Sequence, residues 1–257
     1  MSSTTIAPHT DTAIAISDAA IPAISDAAVA DLTATGGHLL PSADLSALLD
    51  VRPQDWQRLA RNWNDLTLDT HMADGGTYRY RRYGQFTLHT DTGDLTQLPH
   101  GPYRQDSSIN PLNGGVDRHF DPLTGDFVQD PIMAPLLTTL GRIFSAVDTA
   151  TTTWNIKLHP YRITAGAELG QPAPEGRHRD GVTFITSLLI DRHNVSGGES
   201  SVHTDDGEHL LTTTLTVPGD LLLGDDRRTL HSVTPVRPLD ATAPAHRDVL
   251  VMAYTAR

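Results

Sequence analysis

The stretch HRDGVTFITSLLIDRHNVSGGESSV, residues 178–202, places a His-x-Asp triplet directly before a mostly apolar run and a Gly-Gly turn. In extended backbone, residues two apart project to the same face, so His178 and Asp180 can aim an imidazole and a carboxylate at one point. The triplet alone decides little, because others occur, among them His89-Thr90-Asp91, His119-Phe120-Asp121, His203-Thr204-Asp205 and His246-Arg247-Asp248. With 13 histidines and many aspartates, one or two arise by chance. Context separates them. The first runs into the turn Thr92-Gly93-Asp94, the second precedes Pro122 in a loop, the third opens the turn DDGE, and the fourth leads the last strand. Turn chemistry or strand-end packing explains each of these. Only His178 and Asp180 follow a Gly/Pro-rich approach, ELGQPAPEG, and precede the strand-like VTFITSLLI.

Working outward, short strand-like runs fill the sequence from Thr152: TTTWNIKLHPYRIT, VTFITSLLI, SSVHT, HLLTTTLTV, DLLLGD, HSVTPV and DVLVMAYT. The turn signals NVSGG, DDGE, VPGD and DDRR separate them. Strands at this spacing indicate a sandwich or barrel. Before them, ADLSALLD reads as a short helix that Ser42 caps and Pro53 ends or re-starts. PQDWQRLARNWNDL carries Trp56, Leu59, Trp63 and Leu66 at helical spacing, and PIMAPLLTTLGRIFSAVD repeats that spacing. TYRYRRYGQFTLHT alternates like a strand, and residues 99–131 read as a long ordered loop region. The fold class is α+β, with helices first and a jelly roll behind. Residues 1–35 form a separate, disordered or loosely ordered segment, and residues 36–257 form a single domain.

The 257 residues carry 19 basic and 31 acidic side chains, a formal charge of −12, which argues against nucleic acid or an anionic membrane as partner. No apolar run reaches the roughly 18 residues a membrane span needs. The first residues lack a positive n-region. Cysteine is absent, which removes disulfides and thiol nucleophiles. A soluble cytoplasmic protein is the expectation.

Two ligands hold a divalent ion loosely, so a third must come from elsewhere in the fold. His231 opens HSVTPV and sits where a paired strand would bring it opposite His178 and Asp180. Two imidazoles and one carboxylate with open positions suit a non-heme Fe(II) oxygenase. Arg247, at the start of the last strand, can grip a carboxylate bidentately beside the metal.

The segment 178–202, the distal His231-Ser232-Val233-Thr234-Pro235 and HRDVLVMAYT resemble the bacterial Fe(II)/2-oxoglutarate dioxygenases that hydroxylate free L-amino acids, the isoleucine 4-hydroxylase group in particular. RRYGQFTL, the polar segment around Asn110–Phe120 and WNIKLHPYRIT extend the resemblance over roughly residues 75–257. It implies a double-stranded β-helix (jelly-roll, cupin-like) core with supporting N-terminal helices. It implies Fe(II) on His178, Asp180 and His231, with Arg247 on the distal carboxylate of 2-oxoglutarate. O₂ would be the oxidant and ascorbate the reductant in vitro. The implied reaction hydroxylates an aliphatic amino acid of isoleucine or leucine type and yields succinate and CO₂. Related halogenases replace the carboxylate ligand with a small residue, so Asp180 favours hydroxylation over halogenation, while desaturation, epoxidation and sulfoxidation use the same triad.

Arg162, Arg79 and Arg81 are candidate partners for the substrate. Arg79 and Arg81 share a strand face with Arg82 opposite, and a solvated face is the plainer reading of each. Arg227 and Arg228 are alternatives to Arg247. His159 reads as a core or rim histidine, and Gly197-Gly198 as a tight turn. A carrier- or peptide-bound substrate, or a non-catalytic metal-binding barrel, are the competing functions.

Overall fold

The computed structural model describes residues 20–72, 74–109, 114–166 and 168–257. The described part begins with α1 (Ala20–Ala34), β1 (Gly37–Leu40), α2 (Ser42–Leu49) and α3 (Pro53–Ala60), which runs on as a 3-10 turn over Arg61–Asp65. β2 (Thr67–Leu68), β3 (Arg79–Arg81), β4 (Gly84–His89) and β5 (Asp94–Gln97) follow. An irregular stretch containing α4 (Gly125–Val128) leads to α5 (Met133–Val147). The remaining strands are β6 (Thr153–Ala165), β7 (Phe184–His193), β8 (Val195–Gly197), β9 (Glu199–Thr204) and β10 (His209–Thr214). β11 (Leu221–Asp225), β12 (Thr229–Val233), β13 (Val236–Pro238) and β14 (Ala245–Ala256) complete the order.

Nine strands form one large sheet, ordered β1-β11-β7-β14-β6-β3-β2, with β4 and β5 attached beside β6. A small sheet, β10-β9-β12, faces it, and β13 pairs with β8. Strand β14 shows how the large sheet serves two layers. Its Leu250, Met252 and Tyr254 enter the main core beneath the helices, while Arg247, Val249, Val251 and Ala253 line a cavity between the sheets. The period-2 alternation puts both sets in place at once. Beneath the helices, Phe144 of α5 stacks on Phe184 at 4.4 Å and meets Tyr254 edge-on at 4.8 Å. The buried aromatic donors find acceptors: Trp154 Nε1 gives to Ser145 Oγ at 2.9 Å, and the Tyr254 hydroxyl to the Leu137 carbonyl at 3.0 Å.

The predicted helices and strands are present, with three differences of detail. α1 packs rather than floats: Ala28 and Leu32 are fully buried in the main core. An Ala-rich helix with two buried positions gives little periodic signal, so it resembles a polar tail in sequence. The rest of the segment expected to be loosely ordered, residues 1–19, lies outside the described residues. Ser42 is the first residue of α2 rather than its cap, and its hydroxyl donates to the Pro218 carbonyl at 2.6 Å. The strand expected over residues 231–236 divides at Thr234-Pro235, where proline has no N–H for the ladder, and Val236 pairs with β8 instead. No helix among the described residues is long and apolar enough to cross a membrane.

Leu32→Ala is expected to lower stability by about 2–4 kcal/mol, the usual cost of truncating a fully buried leucine. Denaturant unfolding measures it. A change below about 0.5 kcal/mol, the range of surface substitutions, would show that α1 contributes little to the core.

Candidate active site

Strand register decides which side chains enter the cavity. Across β14, β6 and β3, Arg247 lies opposite Ile163 and Ile163 opposite Arg79; the next inward row is Val249, Tyr161 and Arg81. Val251 and His159 form the row after that. Arg162 has the other parity, as does Asp248, its partner across the strands. Its guanidinium closes on Asp248 with hydrogen bonds of 2.8 and 2.6 Å on the far side of the sheet. The expectation that Arg162 meets a substrate is therefore corrected: a sheet displays alternate residues to opposite faces. The solvated reading of Arg79 and Arg81 is corrected as well. Both line the cavity and are buried, at 6% and 1% exposure.

His178, just before β7, and His231, in β12, exchange two backbone hydrogen bonds of 3.0 Å, an isolated antiparallel bridge outside the named strands. This brings their rings to 4.3 Å between centroids. Asp180 Oδ2 lies 3.4 Å from His231 Nε2, and ligand atoms of His178, Asp180 and His231 all fall within 4.8 Å of one another. Neighbouring groups fix their orientation. His178 Nδ1 lies 2.9 Å from the Gly176 carbonyl, so it donates there and leaves Nε2 as the free lone pair. Gln105 Nε2 donates to Asp180 Oδ1 at 3.2 Å, and Gln105 accepts from Arg118 at 2.7 Å.

Asp226 holds the approach loop. Its carboxylate accepts the backbone N–H of Asp180 and, at 2.9 Å, that of Val182, and it lies 3.8 Å from His231 Nδ1. Burial and the nearby Asp180 charge push the Asp226 carboxyl up. Burial also pushes Asp180 up, but His231, then His178 and His159, outweigh it and hold Asp180 well below the usual carboxylate range. Asp226→Asn is expected to lower metal affinity and kcat by about 10–100-fold, the usual effect of losing a group that orients a metal ligand. Metal titration alongside steady-state kinetics checks this; unchanged values of both would show that the loop holds itself.

Two imidazoles and a carboxylate converging on one point, with cavity beside them, suit a divalent metal with open positions. The far wall suits an anion. Arg247 is 1% exposed, and its Nε and Nη2 are buried without a hydrogen-bond partner. Burial, then the Arg192 charge, lowers its pKa to about 10. An uncompensated buried guanidinium is costly unless a ligand carboxylate completes it. Gly198 makes room for it, since a Cβ there would lie 3.0 Å from Arg247 Cδ. The Gly-Gly turn therefore also serves a close approach. The alternatives to Arg247 are engaged elsewhere: Arg227 with Asp225 and Asp148, Arg228 with the carbonyls of Thr33 and Ala34.

A second His/Asp group, Asp191, His246 and Asp248, also converges. Arg162 already supplies its cation. Sequence reading missed Gln105, Arg118 and Asp226; the first two sit in a loop without periodicity.

The model of a family described as 2OG-Fe dioxygenase matches residues 60–253. The chain belongs to this family. It is 25% identical over 202 residues to the 3(1)-hydroxy-L-isoleucine 4-dioxygenase of Pantoea ananatis (strain AJ13355), covering 77% of this chain and 80% of that one. The crystal structure of a bsmA homolog from Methylobium petroleophilum PM1 is 37% identical, with a TM-score of 0.85 over 90% of this chain and 93% of that one. The Fe(II)/(alpha)ketoglutarate-dependent dioxygenase TqaL shares the fold at 20% identity, with a TM-score of 0.73 over 93% of this chain and 88% of that one. The two facing sheets are the double-stranded β-helix core of this dioxygenase family, whose chemistry uses Fe(II), 2-oxoglutarate and O₂.

Proposed function

We propose that this dioxygenase hydroxylates an unactivated C–H bond on the side chain of a free L-amino acid, of aliphatic isoleucine or leucine type, in the cytoplasm. The observation that carries the reading is the convergence of His178, Asp180 and His231 at one end of a cavity whose wall holds the unpaired Arg247. The relative's isoleucine-derived substrate supports the amino-acid class. The apolar residues Ile163, Ile185, Val202 and Val233 in the cavity wall support an aliphatic substrate.

Fe(II), when bound with 2-oxoglutarate and O₂, supplies the oxidising chemistry that turns a C–H bond into C–OH, with succinate and CO₂ as co-products. The protein's own residues hold and aim. His178 Nε2, His231 and Asp180 would take three metal positions and leave the others to cosubstrate and O₂. Arg247 would hold the distal carboxylate of 2-oxoglutarate, and its desolvated setting makes that contact strong. Val249 and Val251, between Arg247 and the metal end along β14, would keep water from the cosubstrate.

The test is succinate formation by purified protein with Fe(II), 2-oxoglutarate and ascorbate across a panel of free L-amino acids. Substrate-dependent succinate with a matching hydroxylated product is the expected outcome. Metal-bound protein that forms no succinate with any member would favour a tethered substrate or a non-catalytic barrel.

A further inference from the structure

Beside the metal end, the cavity holds a second cationic site. Three buried arginines approach it, and the single carboxylate of Asp69 is shared by two of them. Asp69 takes Arg79 at 2.8 and 2.7 Å. Arg81 reaches Asp69 no closer than 3.7 Å, and its Nε is buried without a partner. Arg118 is 2% exposed; it spends one nitrogen on Gln105, and its Nε is also buried and unpartnered. The two guanidiniums lie over the same rings: Arg81 is 3.6 Å from the Phe120 centroid and 5.7 Å from Tyr103, and Arg118 is 4.7 Å from Tyr103 and 6.0 Å from Phe120. Aromatic faces relieve part of the burial cost but provide no hydrogen-bond acceptor for either Nε.

His159 completes the arrangement. Arg81 donates to its Nδ1. Because arginine is only a donor, Nδ1 must accept, so the ring is neutral and carries its proton on Nε2. Burial, then the Arg81 charge, holds the imidazole well below its ordinary pKa, in keeping with that tautomer. Tyr83 stacks on the ring at 5.0 Å and Tyr161 at 5.9 Å, which fixes its plane in the cavity wall. The site is one residue removed from the metal: Arg118 holds Gln105, which holds Asp180.

We infer that Arg81 and Arg118 clamp the free carboxylate of the substrate, with His159 Nε2–H as a further donor, so that this enzyme accepts free acids and rejects their amides, esters and thioesters. This rests on the reading of the cavity as a 2-oxoglutarate-dependent hydroxylase site and deepens it. The distal carboxylate of 2-oxoglutarate is claimed by Arg247 and its oxo-acid end by the metal, so the anion that completes Arg81 and Arg118 belongs to the substrate. A carrier-bound or peptide-embedded residue lacks it. Arg79 and Arg162, both already paired with carboxylates, have no part in the clamp.

The test is calorimetric binding, without O₂, to protein loaded with Mn(II) and 2-oxoglutarate, using a panel of free L-amino acids and the matching L-amino acid amides. The expected result is that the best free acid binds about 100-fold more tightly than its amide, in line with loss of charge-assisted hydrogen bonds to buried guanidiniums. Arg118→Gln is expected to remove most of that difference. Because Arg118 also holds Gln105 on Asp180, the quantity read is the acid-to-amide affinity ratio on protein saturated with Mn(II) and 2-oxoglutarate, not either affinity alone. His159→Gln, which keeps an N–H donor, is expected to bind the acid within a few-fold of wild type, and His159→Phe about 10-fold more weakly. An amide that binds as well as its acid overturns the inference, as does an Arg118→Gln variant that weakens acid and amide equally. A panel in which no free acid binds, although 2-oxoglutarate does, overturns it too. Failure of the underlying hydroxylase reading would look different: 2-oxoglutarate itself would show no metal-dependent binding.

Discussion

Replacing His178, Asp180 or His231 with alanine is expected to abolish substrate-dependent succinate formation and leave the fold intact. Any two of these residues hold a divalent ion poorly, because the oxo acid and O₂ need the remaining positions. The fold should survive because the His178–His231 bridge is made by backbone groups, which alanine retains. Truncating Asp180 removes a charge that pushes the Asp226 carboxyl up, but also a carboxylate that His231 and His178 stabilise. The two effects on apo stability oppose each other, and the protein should stay folded. Circular dichroism melts, metal titration and succinate assays on the same preparations check the three parts. Near-wild-type turnover in any one variant contradicts the metal assignment.

Arg247→Met is expected to raise the KM for 2-oxoglutarate by roughly two to four orders of magnitude, because breaking a buried charge pair costs about 3–5 kcal/mol. The fall in kcat should be smaller, since binding rather than the reacting centre is affected. Without ligand the sign reverses. The apo protein buries a guanidinium whose Nε and Nη2 have no partner, so an apolar residue of similar length should keep or raise its melting temperature. This opposition between apo stability and cosubstrate affinity separates a ligand clamp from a structural arginine. An unchanged KM would mean that the distal carboxylate binds elsewhere.

The strands that carry these residues were legible because they are apolar on both faces or framed by turns. VTFITSLLI, DLLLGD and DVLVMAYT become β7, β11 and β14. His178 and Asp180 could be singled out because a strand follows them and His231 opens another. What stayed hidden depends on partners far away in sequence. Arg162 reads equally well as a substrate partner or as half of a surface salt bridge until register sets it opposite Asp248, on the other face from the cavity. Arg79 and Arg81 looked like a solvated charge run, because burial of a guanidinium is visible only once Asp69, Phe120 and Tyr161 are placed around it. Arg118 and Gln105 lie in a stretch with neither helical nor strand period. Their role comes from reaching Asp180, which no local pattern announces.

The measurement that tests the central claim most directly uses heavy-oxygen O₂. The protein, with Fe(II), 2-oxoglutarate and the free L-amino acid that gives most succinate, is allowed to turn over, and both products are analysed by mass spectrometry. The expected result is one labelled oxygen in succinate and one in the new hydroxyl of the amino acid, in equal amounts and absent from the His231→Ala protein. Labelled succinate with no labelled amino acid under any condition, or hydroxylation that continues without 2-oxoglutarate, would contradict it.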